Sequence, residues 1–184
     1  MKTHKNDLIS RNFHGLARML DAKPINLPRT WLAAWSDFGA WLLSDADFGA
    51  DKFATSQHHA LVAEIVNLAS QHHSDANQWS VPLAKSRQAL TSALKDADLD
   101  DECVAAVSAT YAFVMAAFTG NRHWAELACQ AAAAARAHGW AAFAKSFSAS
   151  KIYARTLDET LAAQTAELEH LVNSYQALEH KCAA

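Results

Sequence analysis

Four of the ten histidines in this 184-residue chain stand as adjacent pairs, His58-His59 and His72-His73. Paired imidazoles suit transition-metal binding or a protonation switch near neutral pH. Stepping along the surrounding segment by fours and threes leads through His58, Val62, Ile65, Ala69 and His72. One histidine of each pair therefore borders the apolar stripe of a helix. Fourteen residues at the helical rise separate the two by about 21 Å, too far to share an ion within one helix. An antiparallel second copy would bring His58 of one chain near His72 of the other, so the sharper expectation is a two-fold zinc or pH-sensitive contact. Half-buried or solvated histidines are the plainer expectation. His58, His59, His72 and His73 are thus the metal candidates, and no cofactor is expected.

Other chemistry-bearing sets fall short of their templates. Glu167 and His170 form a single ExxH, whereas di-iron bundles use two copies with further glutamates on facing helices. Asp96, Asp98 and Asp100 match the first, third and fifth positions of a calcium loop. The glycine position is Asp101 and the bidentate glutamate position is Val107, so helix capping explains these acids better. Arg122 and His123 open a helix where an anion is favoured, but one arginine and one histidine are a thin basis for a site. Asp37-Phe38-Gly39-Ala40 recurs as Asp47-Phe48-Gly49-Ala50. A kinase reading of that echo fails, because the glycine-rich loop, the strand lysine and the HRD segment are missing.

Cys103, Cys129 and Cys182 are far apart and form no CxxC pair, so they read as reduced thiols of a cytoplasmic protein. No nucleophile elbow, zinc-protease motif or phosphate loop occurs, and a non-catalytic role is expected. The formal net charge of −3 gives no footprint for nucleic acid. That charge is uneven: residues 1–29 carry six basic side chains against Asp7 and Asp21. No secretory signal and no transmembrane segment are read.

The elements that must hold these residues are helices. Alanine accounts for 41 positions, while the five glycines and three prolines are few, and alanine loses no side-chain entropy in a helix. The fold expected is all-α, a bundle of about six to seven helices forming one domain over residues 1–184. A basic N-terminal helix and linker (1–29) should start near Asn6 or Asp7 and stop at Pro24. A second helix follows Pro28 with Trp31, Trp35, Phe38 and Leu42 on one stripe and Trp41 beside it. The third helix is expected over about Asp51 to His73, and a fourth near Ser80 presenting Leu83, Leu90 and Leu94. The chargeless run Cys103–Phe118 should be the buried centre, with Asp100, Asp101 and Glu102 at one end and a left-handed Gly120 at the other. Asn121 should cap a sixth helix reaching Phe147.

The closing helix, 151–184, is the most regular. Leu157, Leu161, Gln164, Leu168, Leu171, Tyr175, Leu178 and Cys182 alternate spacings of four and three, the repeat of a coiled-coil seam with one polar position to fix register. The register extends back through Phe147, Phe143 and Trp140. A seam of this kind packs either within the chain or between chains.

The function expected is an adaptor or regulatory subunit that binds protein partners, itself included. Its expected partner-binding residues are Leu157, Leu161, Gln164, Leu168, Leu171, Tyr175 and Leu178, together with Trp31, Trp35 and Trp41. Two alternatives stand beside it. One is a metal- or small-ligand-binding bundle using the His58/His72 region, and the other is an amphipathic coat on a granule or lipid surface.

Overall fold

The computed structural model describes residues 29–72, 76–144 and 149–182. Among them are six α-helices, two 3₁₀ turns and no strand. The helices are α1 (Arg29–Ser44), α2 (Ser56–Ser70), α3 (Ser80–Ala93), α4 (Asp101–Thr119), α5 (Arg122–Phe143) and α6 (Ala149–Cys182); the turns are Ala50–Phe53 and Ala76–Trp79. The chain is an all-α helical bundle. The expected N-terminal helix, His73 and Phe147 lie outside the described residues, as do the side chains of Trp31, Arg122 and Cys182.

Helix α4 sits in the middle, packed against α5, α3, both turns, α1 and α2. No residue from Glu102 to Phe118 is exposed, and Ala106, Ala109, Thr110, Ala112, Phe113 and Val114 are buried. At 19 residues it is the one described helix long and apolar enough to cross a membrane by length and composition. Its covered flanks make it the core of the bundle. The Asp100 backbone carbonyl, rather than its carboxylate, accepts from the Cys103 and Val104 N–H groups. At the other end Gly120 adopts φ 63° and donates its N–H to Ala116, the left-handed closure that glycine adopts without a Cβ penalty. Asn121 Oδ1 then accepts from the His123 N–H at 2.9 Å and starts α5.

Small residues set how closely the helices approach. A methyl group at Gly39 of α1 would overlap the Phe113 ring of α4. Phe113 is in turn packed by Trp35 and edge-on by Trp79, with ring centres 6.3 and 5.7 Å away. Gly139 of α5 gives the same room to Phe53. The alanines of α5 at 128, 132, 133 and 135 are fully buried, and they make the slim rod that lies along α4. Helix α6 runs antiparallel to α5. Tyr153, Thr160 and Gln164 meet His138, Arg136 and Cys129 in reverse order.

Three expectations are corrected. The third helix starts at Ser56 rather than Asp51. Ala50–Phe53 forms a 3₁₀ turn instead, because burial of Ala50 and the seat of Phe53 on Gly139 bend the chain before the extended Thr55. On α3 Pro82, Ser86 and Ala93 are buried and Leu83 packs half-buried against the core, while Leu94, at the helix end, stands exposed; proximity to α4 favours small side chains on the most buried face. Helix α5 ends at Phe143, so the seam of α6 does not continue through Phe143 and Trp140. Those two belong to another helix and face solvent.

Candidate functional site

A cleft of about 400 Å³ opens between α2 and α3, with α4 beneath it. The small inward residues of α3 explain it: Ala89, Ser92 and Ala93 face Leu61 across the gap and do not fill it, and Val107 forms part of the floor. Thr55, Gln57, Gln88 and Asp96 supply polar groups, and Lys85 on the lining is paired to Glu64 at 2.6 and 2.9 Å. A volume of this size lies at the lower end of small-molecule sites.

His58 lines the cleft although it is only 5% exposed. Its Nε2 lies 3.0 Å from Thr110 Oγ1 on α4. The Thr110 hydroxyl already donates its single proton to the Ala106 carbonyl at 3.1 Å. With its proton given to that carbonyl, Thr110 accepts from the ring. In that arrangement His58 carries its proton on Nε2 and keeps Nδ1 as a lone-pair acceptor. Burial holds the His58 pKa below its ordinary value, and the nearby His59 adds to that; the charge of Asp51 acts in the opposite sense without reversing it. An imidazole tied to Thr110 thus occupies a position on a stripe otherwise filled by Val62, Ile65 and Ala69.

The described histidines of the two pairs do not converge. The exposed His59 places Nδ1 2.8 Å from Asp51, and His72 places Nε2 2.7 Å from Asp37. No group of three potential ligands that could hold a metal occurs among the described residues. His58 faces inward and commits Nε2 to Thr110, so the expected contact between two copies has no free His58 on its surface. The acids of the calcium-like run make a turn instead, with Asp96 Oδ1 accepting from the Asp98 N–H at 3.1 Å.

A second cluster joins α1, the end of α2 and α6. The Tyr175 hydroxyl donates to Asp37 Oδ2 in a short hydrogen bond, while His72 contacts Oδ1 of the same carboxylate and meets Tyr175 edge-on. His72 reaches it from a backbone at φ 50°, just beyond the last turn of α2. Burial first, then the hydrogen bond and charge of Asp37, push the Tyr175 phenol up to about 12. The three groups satisfy one another and lie open to solvent on one side, which makes them a tie between helices.

The sequence-predicted partner-binding residues are largely internal. Leu161, Gln164 and Leu168 of the seam are buried, and Leu157, Leu171 and Tyr175 are half-buried. Only Leu178, at 54% exposure, stands out. Gln164 Nε2 donates to the Cys129 carbonyl of α5 at 3.1 Å, so this seam packs within the chain. Trp35 packs on Phe38 and Phe113, and Trp41 stacks with Phe38 and Phe48. Both rings are thus held within the bundle.

Other large apolar groups face solvent away from the seam. Trp140 is 47% and Phe143 86% exposed, with ring centres 6.4 Å apart on the last turn of α5. Sequence reasoning missed this pair by reading it into the seam, and it missed Thr110 because a threonine on a core helix carries no motif. Arg136 was also missed. From within the alanine run it donates to the Asp47 carbonyl at 3.0 Å and to Thr160 at 3.2 Å, and it covers the Phe48 ring. Of the described thiols, burial pushes Cys103 and Cys129 up, assisted by Glu102 and Asp100 at the first and Glu126 at the second, so neither is activated. Comparison with protein-family models, with curated proteins and with solved structures finds no match to this chain.

Proposed function

We propose that the protein is a non-catalytic helical interaction protein of the cytoplasm, an adaptor or regulatory subunit that holds protein partners and self-associates. The observation that carries this reading is the exposed Trp140–Phe143 pair. Two adjacent aromatic rings in water are costly, and rings of this kind are the commonest anchors of protein interfaces. The contact is assigned to the end of α5 rather than to the α6 seam, whose central residues are occupied within the chain. Free Cys103 and Cys129 accord with a reducing compartment.

Light scattering on the full chain tests the reading. Removing residues 151–184 would strip a wall from the core, so the variant of choice is Trp140→Ser/Phe143→Ser at the surface. Self-association predicts a mass above one chain that falls by about half or more in the double variant, with the helical circular dichroism unchanged. A monomer in both proteins, together with flotation of the parent on lipid vesicles, would move these rings to a surface-coating role.

A further inference from the structure

The geometry points to the cleft between α2 and α3 as a binding site for a small amphipathic molecule, one with an apolar body and a hydroxyl or amine head that donates a hydrogen bond to His58. This goes beyond the interaction role proposed for Trp140 and Phe143, which lie on a different helix, and stands or falls separately.

Three observations converge on it. The first is the place of His58: an imidazole interrupts an apolar stripe at a buried position, where an aliphatic residue would pack without desolvation cost. The second is orientation. Thr110 pins the ring so that Nε2 is spent, and with the Thr110 proton on the Ala106 carbonyl the lone pair of Nδ1 is kept. Metal-bound imidazoles are oriented by a hydrogen bond on their other ring nitrogen, and Thr110 orients the His58 ring in a comparable way. The third is the cleft itself, where about 400 Å³ beside this ring is bordered by Leu61, Ala89, Ala93 and Val107. A lone-pair acceptor calls for a donor, and the apolar part of the lining, Leu61, Ala89, Ala93, Leu99 and Val107, calls for hydrocarbon. Asp96 also lines the cleft and would favour an amine over an acid, and Lys85 adds no free positive charge because Glu64 neutralises it.

Histidine ring resonances of the full chain provide the test, titrated with 4-phenylbutan-1-ol, 4-phenylbutylamine and the methyl ether of the same alcohol. The three share one body and differ in the head: neutral donor, charged donor and no donor. Binding at the cleft predicts a saturable shift of the His58 signals with the alcohol and the amine, and about tenfold weaker binding of the ether, the value of one buried hydrogen bond. Amine tighter than alcohol assigns Asp96 a part, while equal affinities confine recognition to His58. Ser92→Trp, a substitution at an exposed position on the cleft wall, should abolish both shifts. His58→Leu should bind alcohol and ether equally. An ether that binds as well as the alcohol to the parent protein, or His58 signals unmoved up to the solubility limit of both donors, overturns the assignment.

Discussion

Tyr175, near the end of α6, gives its hydroxyl proton to Asp37 of α1, 138 positions earlier in the chain. The bond links the first and last described helices. Since the phenol is pushed up to about 12, the folded protein favours the protonated ring. A group whose folded pKa exceeds its unfolded value contributes its full stability below the unfolded value, about 10 for tyrosine, and loses it as pH rises through the folded one. Stability should therefore decline between about pH 10 and pH 12, and Tyr175→Phe should flatten that decline. Because the cluster is partly open to solvent, the substitution should cost about 1 kcal/mol at neutral pH. Tyrosinate absorbance against pH, set beside thermal unfolding of both proteins, checks each part. A Tyr175 that ionises near pH 10 would contradict the assignment.

Gln164 should respond differently to two substitutions. Its Nε2 bonds the Cys129 carbonyl, but Oε1 is buried without a partner. Gln164→Leu removes one neutral hydrogen bond and the unpaired oxygen together, so the change should lie within about 1 kcal/mol of zero. Gln164→Ala removes the same groups and leaves a hole, at a cost of about 2–4 kcal/mol. Chemical denaturation of the two variants measures the difference. If both lose as much stability, the amide has a worth that its hydrogen bonding does not explain.

His58 predicts acid sensitivity. A folded pKa held below the ordinary histidine value means that the unfolded chain takes up the proton first as pH falls through about 6.5. The native state then loses stability on acidification, and the loss continues until the folded His58 itself protonates. The groups around it set the slope: Asp51 favours the charged ring, while His59 and the burial beneath α4 oppose it. Melting curves at pH 7 and pH 5 should show a smaller difference for His58→Leu than for the parent. Equal differences would mean that His58 does not carry the proton.

The helical class and the central helix were legible because alanine content, capping residues and an unbroken apolar run all act locally. Gly39 is a local signal as well, since a glycine inside a helix marks a place of close approach, and Phe113 is what approaches. What the sequence left hidden depends on neighbours. The seam of α6 has the same spacing whether it faces α5 or a second chain, and Gln164 meeting Cys129 is a fact of tertiary packing. Phe143 fits the register of α6 by count alone. Its exposure follows from the end of α5, which the alanine-rich composition masks. The cleft has no signature at all, because Ala89, Ser92 and Ala93 matter there for the volume they leave empty.

The pairing of α1 with α6 has a consequence for synthesis. Phe38, Leu42 and Leu43 emerge from the ribosome more than a hundred residues before the helix that carries Leu161 and Leu168. Until then the early helices hold an uncovered greasy surface, a state open to aggregation and to capture by chaperones. The last described helix works as the closing stave of a barrel, and a ribosome stalled before Leu161 would release a product unable to seal itself.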